Sequence, residues 1–184
     1  MVRQFPMRRM PTLLAIVHFF IELCLLRRKP QDLQASAALL LMVLVAGLLG
    51  GVLLAVSAGA ALLAGVGQTA LDFLLMLGVL HLALKLTDKL PRFLQTATAL
   101  VGADTVVGIV ALVPVALAGP SLDDSPQLLL AGLMFMALVA WSVLITAHIL
   151  RHAFDIKLMQ GAIIAVAFDV FSFVIVGGLT QGPA

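Results

Sequence analysis

Residues 93–118 read FLQTATALVGADTVVGIVALVPVALA. A bilayer-crossing helix needs about 20 apolar residues, and this stretch supplies them, with one acid, Asp104, near its middle. A charge at that depth costs on the order of 3 kcal/mol on insertion scales, so the surrounding chain must justify it. The whole chain has 184 residues, 62% hydrophobic and 11% charged, with a mean hydropathy of +1.18. Soluble domains are about 45–50% apolar and about 25% charged. A chain this apolar exposes sticky surface everywhere in water, which leaves an integral membrane protein as its class.

Working outward, four more stretches have the same character. Spans are expected over 36–58, 69–87, 127–150 and 158–178, besides 93–118. Residues 59–68 carry no charge and are rich in glycine, so they read as a short turn, which puts Asp72 near the outer end of the second span. Pro114 is expected to kink the third span by removing a backbone hydrogen bond. Residues 119–126, GPSLDDSP, are the clearest loop. In the first span, Gly47 and Gly51 form a Gly-x-x-x-Gly pair, which lets two helices approach closely inside lipid, where packing supplies the energy.

The charges orient these spans. All eleven basic residues, among them Lys85, Lys89, Arg92, Arg151 and Lys157, fall in segments assigned to one side, and Asp123 and Asp124 fall on the other. Positive residues stay cytoplasmic, so the N-terminus is expected inside and the C-terminus outside. The N-terminal run PTLLAIVHFFIELCLL is short for a span and is followed by Arg27, Arg28 and Lys29. His18, Glu22 and Lys29 fall within about 40° of one another on a helix, a narrow polar stripe. Residues 12–28 therefore read as an amphipathic interfacial helix or a shallow re-entrant one, with a sixth span as the alternative. The expected fold class is all-α: residues 1–35 as a cytoplasmic or interfacial segment, then a five-span bundle over 36–184.

Asp104 lies twelve residues beyond Arg92, and Asp169 twelve beyond Lys157. Twelve residues rise about 18 Å, so both acids are expected near the midplane. Two carboxyls meeting there would be neutral or share one proton. One reading is a pair handling protons or cations, since intramembrane acids mark ion pathways. The other is interhelical glue, each acid bonding a backbone carbonyl or a nearby hydroxyl such as Thr105 or Ser172. Gln95 and Gln160 precede the two acids and hint at a repeat.

Other constellations say less. His148 and His152 stand four apart, a metal-ligand spacing, but Ile149 follows the first histidine where a metalloprotease helix needs Glu. Lys85, Lys89, Arg92, Arg151 and Lys157 are expected to attract anionic lipid headgroups at about 1 kcal/mol per residue. The single cysteine, Cys24, excludes a disulfide framework and reads as a small apolar filler, with acylation as the alternative. With no tyrosine and one tryptophan, Trp141, the interfacial aromatic belt is missing. No phosphate-cradling glycine loop, nucleophile elbow, cysteine pair or aromatic nucleic-acid platform is present. No enzymatic activity, cofactor, metal site or nucleic-acid partner is expected.

With the layout drawn, and with the Lys29–Pro30 pair and the short hinges, the chain resembles the YIP family of small five-helix membrane proteins. Eukaryotic members interact with Rab-type GTPases through a longer cytoplasmic region carrying an acidic-Leu-Tyr-Gly-Pro motif, which is absent here. The resemblance implies a fold and carries over no functional residue. The expected role is a membrane scaffold or interaction subunit, assembling with itself or a larger complex through its small-residue faces. The alternative is a proton- or cation-coupled transporter or channel component using Asp104 and Asp169.

Overall fold

The computed structural model describes residues 13–119 and 126–180. The basic segment 1–10, the Asp123–Asp124 loop and the tail beyond Thr180 lie outside the described residues. The described residues form six α-helices: α1 (Leu13–Cys24), α2 (Ala37–Ser57), α3 (Leu62–Leu86), α4 (Phe93–Ala118), α5 (Pro126–Phe154) and α6 (Leu158–Thr180). Among the described residues there is no strand. Five of the helices, α2 to α6, are long and apolar enough to cross a membrane. Their outward faces are apolar too, with Leu63 86% and Met159 77% exposed. Such surface is unstable in water and at home in lipid, so the protein is a multi-pass membrane protein.

The helices lie where the sequence places them, with one consequential exception. The turn after α2 is confined to Ala58–Ala61, and α3 starts at Leu62, seven residues before the expected start at 69. Gly59, at φ +92, makes the reversal; glycine alone adopts that conformation freely. The glycines beyond it do not break the helix. Gly65 is buried where a Cβ would stand 3.1 Å from Ala55, so its bareness serves the packing of α3 on α2. In lipid a helix is also the cheapest way to satisfy the backbone. The early start moves Asp72 from near the end of the span to its middle. At the other end of the sequence order, α5 runs four residues past the expected 150. It stops at Asp155, whose left-handed backbone (φ +54) lets the Ile156 amide donate to the Arg151 carbonyl.

α4 is the hub, packed by α1, α2, α3 and α5 and by the 3-10 turn Pro30–Asp32. Every residue from Thr96 to Ala103 is buried. Burial on all sides requires small residues, and this run is TATALVGA. Its two threonines cause no polar penalty, because their hydroxyls donate back to the Arg92 and Leu94 carbonyls one turn earlier. The helix continues unbroken through Pro114. α3, α4, α5 and α6 close a ring, each packed on the next, with α6 returning to α3. α2 covers the outside of α3 and α4.

Gly47 and Gly51 do pack helices, and the helices are this chain's own. A Cβ at Gly47 would stand 2.8 Å from both the Phe73 ring and the Thr105 hydroxyl; one at Gly51 would stand 2.5 Å from the Thr69 methyl. α1 leans on the middle of α4, its Phe20 ring filling the space where Gly102 lacks a side chain. Cys24 is buried with its thiol toward the Ala103 carbonyl, and the Trp141 indole N–H donates to the Cys24 carbonyl at 3.0 Å. Gly102 is nine residues past Phe93, about 14 Å along the helix, so these contacts fit the re-entrant alternative for this segment. Of the expected polar stripe, Glu22 contacts His18 at 3.4 Å and pairs with Arg28 at 2.8 Å. Lys29 lies beyond the helix, and its backbone amide donates to Asp32 in the following turn.

Gly51→Val therefore forces α2 away from Thr69 and is expected to destabilise the bundle by about 1–3 kcal/mol, the usual range for overpacking. Gly67→Val, at a position with nothing within 4 Å, is the matched control. Unfolding in detergent micelles measures both. Gly102→Val is expected to displace Phe20 and make the buried Cys24 thiol reactive to a maleimide at a rate the native protein does not reach.

Candidate functional site

Three acids face one cavity. It has a volume of about 550 Å³ and lies inside the ring of α3, α4, α5 and α6. Asp72 enters from α3, Asp104 from α4 and Asp169 from α6, while α5 contributes Ser142 and Thr146. Asp104 and Asp169 each sit eleven residues from the start of their helices, and Asp72 sits fourteen before the end of α3. At 1.5 Å per residue these are ~17, ~17 and ~21 Å from the end of the bundle that carries Lys89, Arg92 and Lys157. That end is the basic end of the bundle. The expected match in depth between Asp104 and Asp169 holds. The two helices face each other across the ring, so the acids meet through the cavity and not through a helix–helix contact.

The local sequence explains how each acid comes to face inward. Asp104 follows directly on the fully buried run Thr96–Ala103, at the point where α4 passes from a packed environment to the open interior. Its side chain is exposed where it lines the cavity. On α3, Gln68, Asp72, Met76, Val79 and Ala83 recur at three- and four-residue steps and make one face. On α6, Ala165, Asp169, Ser172 and Val176 do the same. The two walls are joined by the Ser172 hydroxyl, which donates to the Asp72 carboxylate.

Neither Asp104 nor Asp169 has a hydrogen-bond or ion-pair partner among the described residues. The neighbours expected to hold them are engaged elsewhere. Thr105 donates to the Val101 carbonyl of its own helix, and Ser172 serves Asp72. The carboxyls are close enough to act on one another electrostatically. Among the described residues no lysine, arginine or histidine lines the cavity. A concentration of negative groups in a low-dielectric interior without a counter-charge attracts protons or cations strongly. Toward the basic end the lining turns apolar, with Leu80, Ala83, Leu150 and Phe154. Toward the far end Gln68 is followed by Ala64 and Gly177.

Asp72 is the cavity acid that the sequence does not place beside the other two, because the glycine-rich segment before it reads as a turn. A signal was present: it stands thirteen residues before Lys85, nearly the spacing that marks Asp104 and Asp169. Gln95 and Gln160, the hint of a repeat, take unrelated roles. The Gln95 amide donates to the Leu33 carbonyl, and Gln160 accepts from the Lys157 backbone amide.

At the basic end, the five residues expected to hold lipid headgroups divide. Lys89 and Arg92 are committed inside the protein. Lys89 donates to the Phe154 carbonyl and to Asp155, while Arg92 donates to the His152 and Ala153 carbonyls and to Asp155. Together with Gln31, which donates to the His152 carbonyl at 2.6 Å, they close the carbonyl end of α5, where positive charge is favoured. Lys85 and Lys157 stay exposed. Arg151 joins Arg27, Arg28 and Lys29 around a shallow basin beside His148, His152 and Leu158. The His148 and His152 rings meet edge to face at 4.7 Å. Nε2 of His148 lies 3.0 Å from the Arg28 carbonyl, an acceptor that calls for a proton on that nitrogen.

Lys89 beside it, more than Arg92, holds the Asp155 carboxyl below the ordinary carboxylate range, with slight burial working the other way. Its folded pKa is thus below its unfolded value near 3.9. The stabilisation is complete above about pH 4 and is lost as pH falls through the lowered folded value. The unfolding midpoint in detergent is expected to fall with pH through this window in the native protein. Asp155→Asn is expected to lose that step while lowering the midpoint at neutral pH.

Comparison of the chain with protein-family models, with curated proteins and with solved structures finds no match.

Proposed function

We propose that the protein is a proton- or cation-coupled small transporter or channel component of the bacterial inner membrane, acting through the Asp72, Asp104 and Asp169 carboxyls. The observation that carries this reading is the cavity, which gathers acids from α3, α4 and α6 at mid-depth and offers them no base. Acids serving only as interhelical glue would be hydrogen-bonded in a dry core. Here Asp104 and Asp169 have no such partner among the described residues and face open volume.

The scaffold reading stays as the alternative, without the Gly47–Gly51 pair to carry it. The space beside Gly47 and Gly51 is filled by Phe73, Thr105 and Thr69 of the chain itself. In the proposed orientation the basic end faces the cytoplasm, in keeping with the one-sided distribution of lysine and arginine. The Ala- and Leu-rich composition fits a bacterial source. The bilayer is the main partner, with Lys85, Lys157 and Arg151 available to anionic headgroups. The YIP-like layout accords with this arrangement and adds no activity. No catalytic chemistry or cofactor is part of the proposal.

The test is proton uptake into liposomes containing the purified protein, driven by an imposed potential and read by an internal pH dye. The native protein is expected to exceed empty liposomes clearly. Asp104→Asn, and the double variant Asp104→Asn with Asp169→Asn, are expected to fall at least about tenfold toward the background, the size of effect expected from losing a charged group's interactions. Uptake by the double variant equal to that of the native protein would end the pathway reading.

A further inference from the structure

The form of the cavity goes beyond what a proton or a bare metal ion needs. A water occupies about 30 Å³ of liquid, whereas this volume is about 550 Å³, within the roughly 300–1,000 Å³ that small organic ligands fill. A hard metal cation takes about six or more oxygens converging on one point. Among the described residues no three acids, histidines or cysteines are grouped to do that. The rest of the lining near the acids is largely apolar, with the aromatic side chains of Phe168 and Phe173 and with Met76 beside them. Aromatic faces attract cations that have shed their water. Methionine adapts its shape to varied apolar bodies.

These observations point to one ligand class. We infer that the cavity binds a lipophilic organic cation, a positive charge on an apolar body, with the body against the phenylalanine walls and the charge among Asp72, Asp104 and Asp169. The inference rests on the proposed reading of the cavity as a transport site and names what that site takes besides protons. Complementarity of charge supports it: the lining holds three carboxyls, no lysine, arginine or histidine, and the neutral polar groups of Gln68, Ser142, Thr146 and Ser172. A neutral apolar molecule of the same size would leave the carboxyls of Asp104 and Asp169 uncompensated. An anion would be repelled. Both differ from the cation in charge alone, which makes the claim open to a direct test.

The full-length protein in lipid nanodiscs is titrated with tetraphenylphosphonium, with tetraphenylborate as the anion of matching shape and triphenylphosphine oxide as a neutral aromatic relative. Saturable binding of the phosphonium, absent for the other two after subtraction of empty nanodiscs, is expected. Asp104→Asn is expected to weaken it at least about tenfold. Phe168→Leu keeps an apolar wall and removes the aromatic face; it is expected to weaken binding about two- to tenfold. Protection of the buried Cys24 thiol from maleimide reports that each variant is folded. Equal uptake of all three probes, or phosphonium binding unchanged in both folded variants, would overturn the inference. Proton uptake that depends on Asp104 without phosphonium binding would overturn it while leaving the transport reading intact. Phosphonium binding without proton uptake would sustain it and remove the coupling.

Discussion

The centre of this bundle is set by how little side chain α4 carries. From Thr96 to Ala103 the helix is buried on every side, and only a run such as TATALVGA can be surrounded so closely. Lipid offers no hydrophobic force to drive helices together, so association depends on close packing and internal hydrogen bonds. The threonines return their hydroxyls to their own helix, leaving a surface without polar demands on its neighbours. Phe20 of α1 seats on Gly102, and Gly47 of α2 receives the Phe73 ring and the Thr105 side chain. Thicken this axis and α1 loses its seat, while α2 keeps only its contact with α3.

The cavity follows from where that run ends. Beyond Ala103, α4 is no longer enclosed, and its next residue is Asp104. The ring formed by α3, α5 and α6 with α4 leaves volume at this level, and the acids of three different helices share it. Among the described residues only one of the three is tied, Asp72 by Ser172, and that bond also joins α3 to α6. In the proposed function this wall, fastened on one side and lined on the others by carboxyls without a partner among the described residues, receives the positively charged occupant. The same arrangement in a protein built for rigidity alone would leave its acids costly and unused.

The basic end shows a different economy of charge. Lys89 and Arg92 look in sequence like the lysines and arginines that anchor a membrane protein to its lipids. In the fold they reach across to the last carbonyls of α5 and to Asp155. A helix end in or near lipid has four carbonyls without partners and little water to satisfy them, so long basic side chains from the neighbouring turn are well suited to the task. The same charge pattern that fits an inward-facing end thus also holds α3, α4 and α5 together there. Arg151, Lys85 and Lys157 keep their side chains free of such duties.

The sequence by itself determined the class, the helices and the depth of two acids. Length and apolar run decide whether a segment can cross a bilayer, and a count from the nearest base decides how deep a residue sits; both are one-dimensional quantities. It was therefore right about 93–118, whose bounds are those of α4, and about the shared level of Asp104 and Asp169. Local composition misled it at residues 59–68, because glycine reads as a turn whether it breaks a helix, as Gly59 does, or lets one pack, as Gly65 does. That choice is made by the neighbouring helix, and with it the position of Asp72. Which faces meet, whether Gly47 and Gly51 serve this chain or another, and whether acids on separate helices surround a void are three-dimensional facts. Only the tertiary structure decided them, since each depends on the rotation of one helix against the next, which no single helix records.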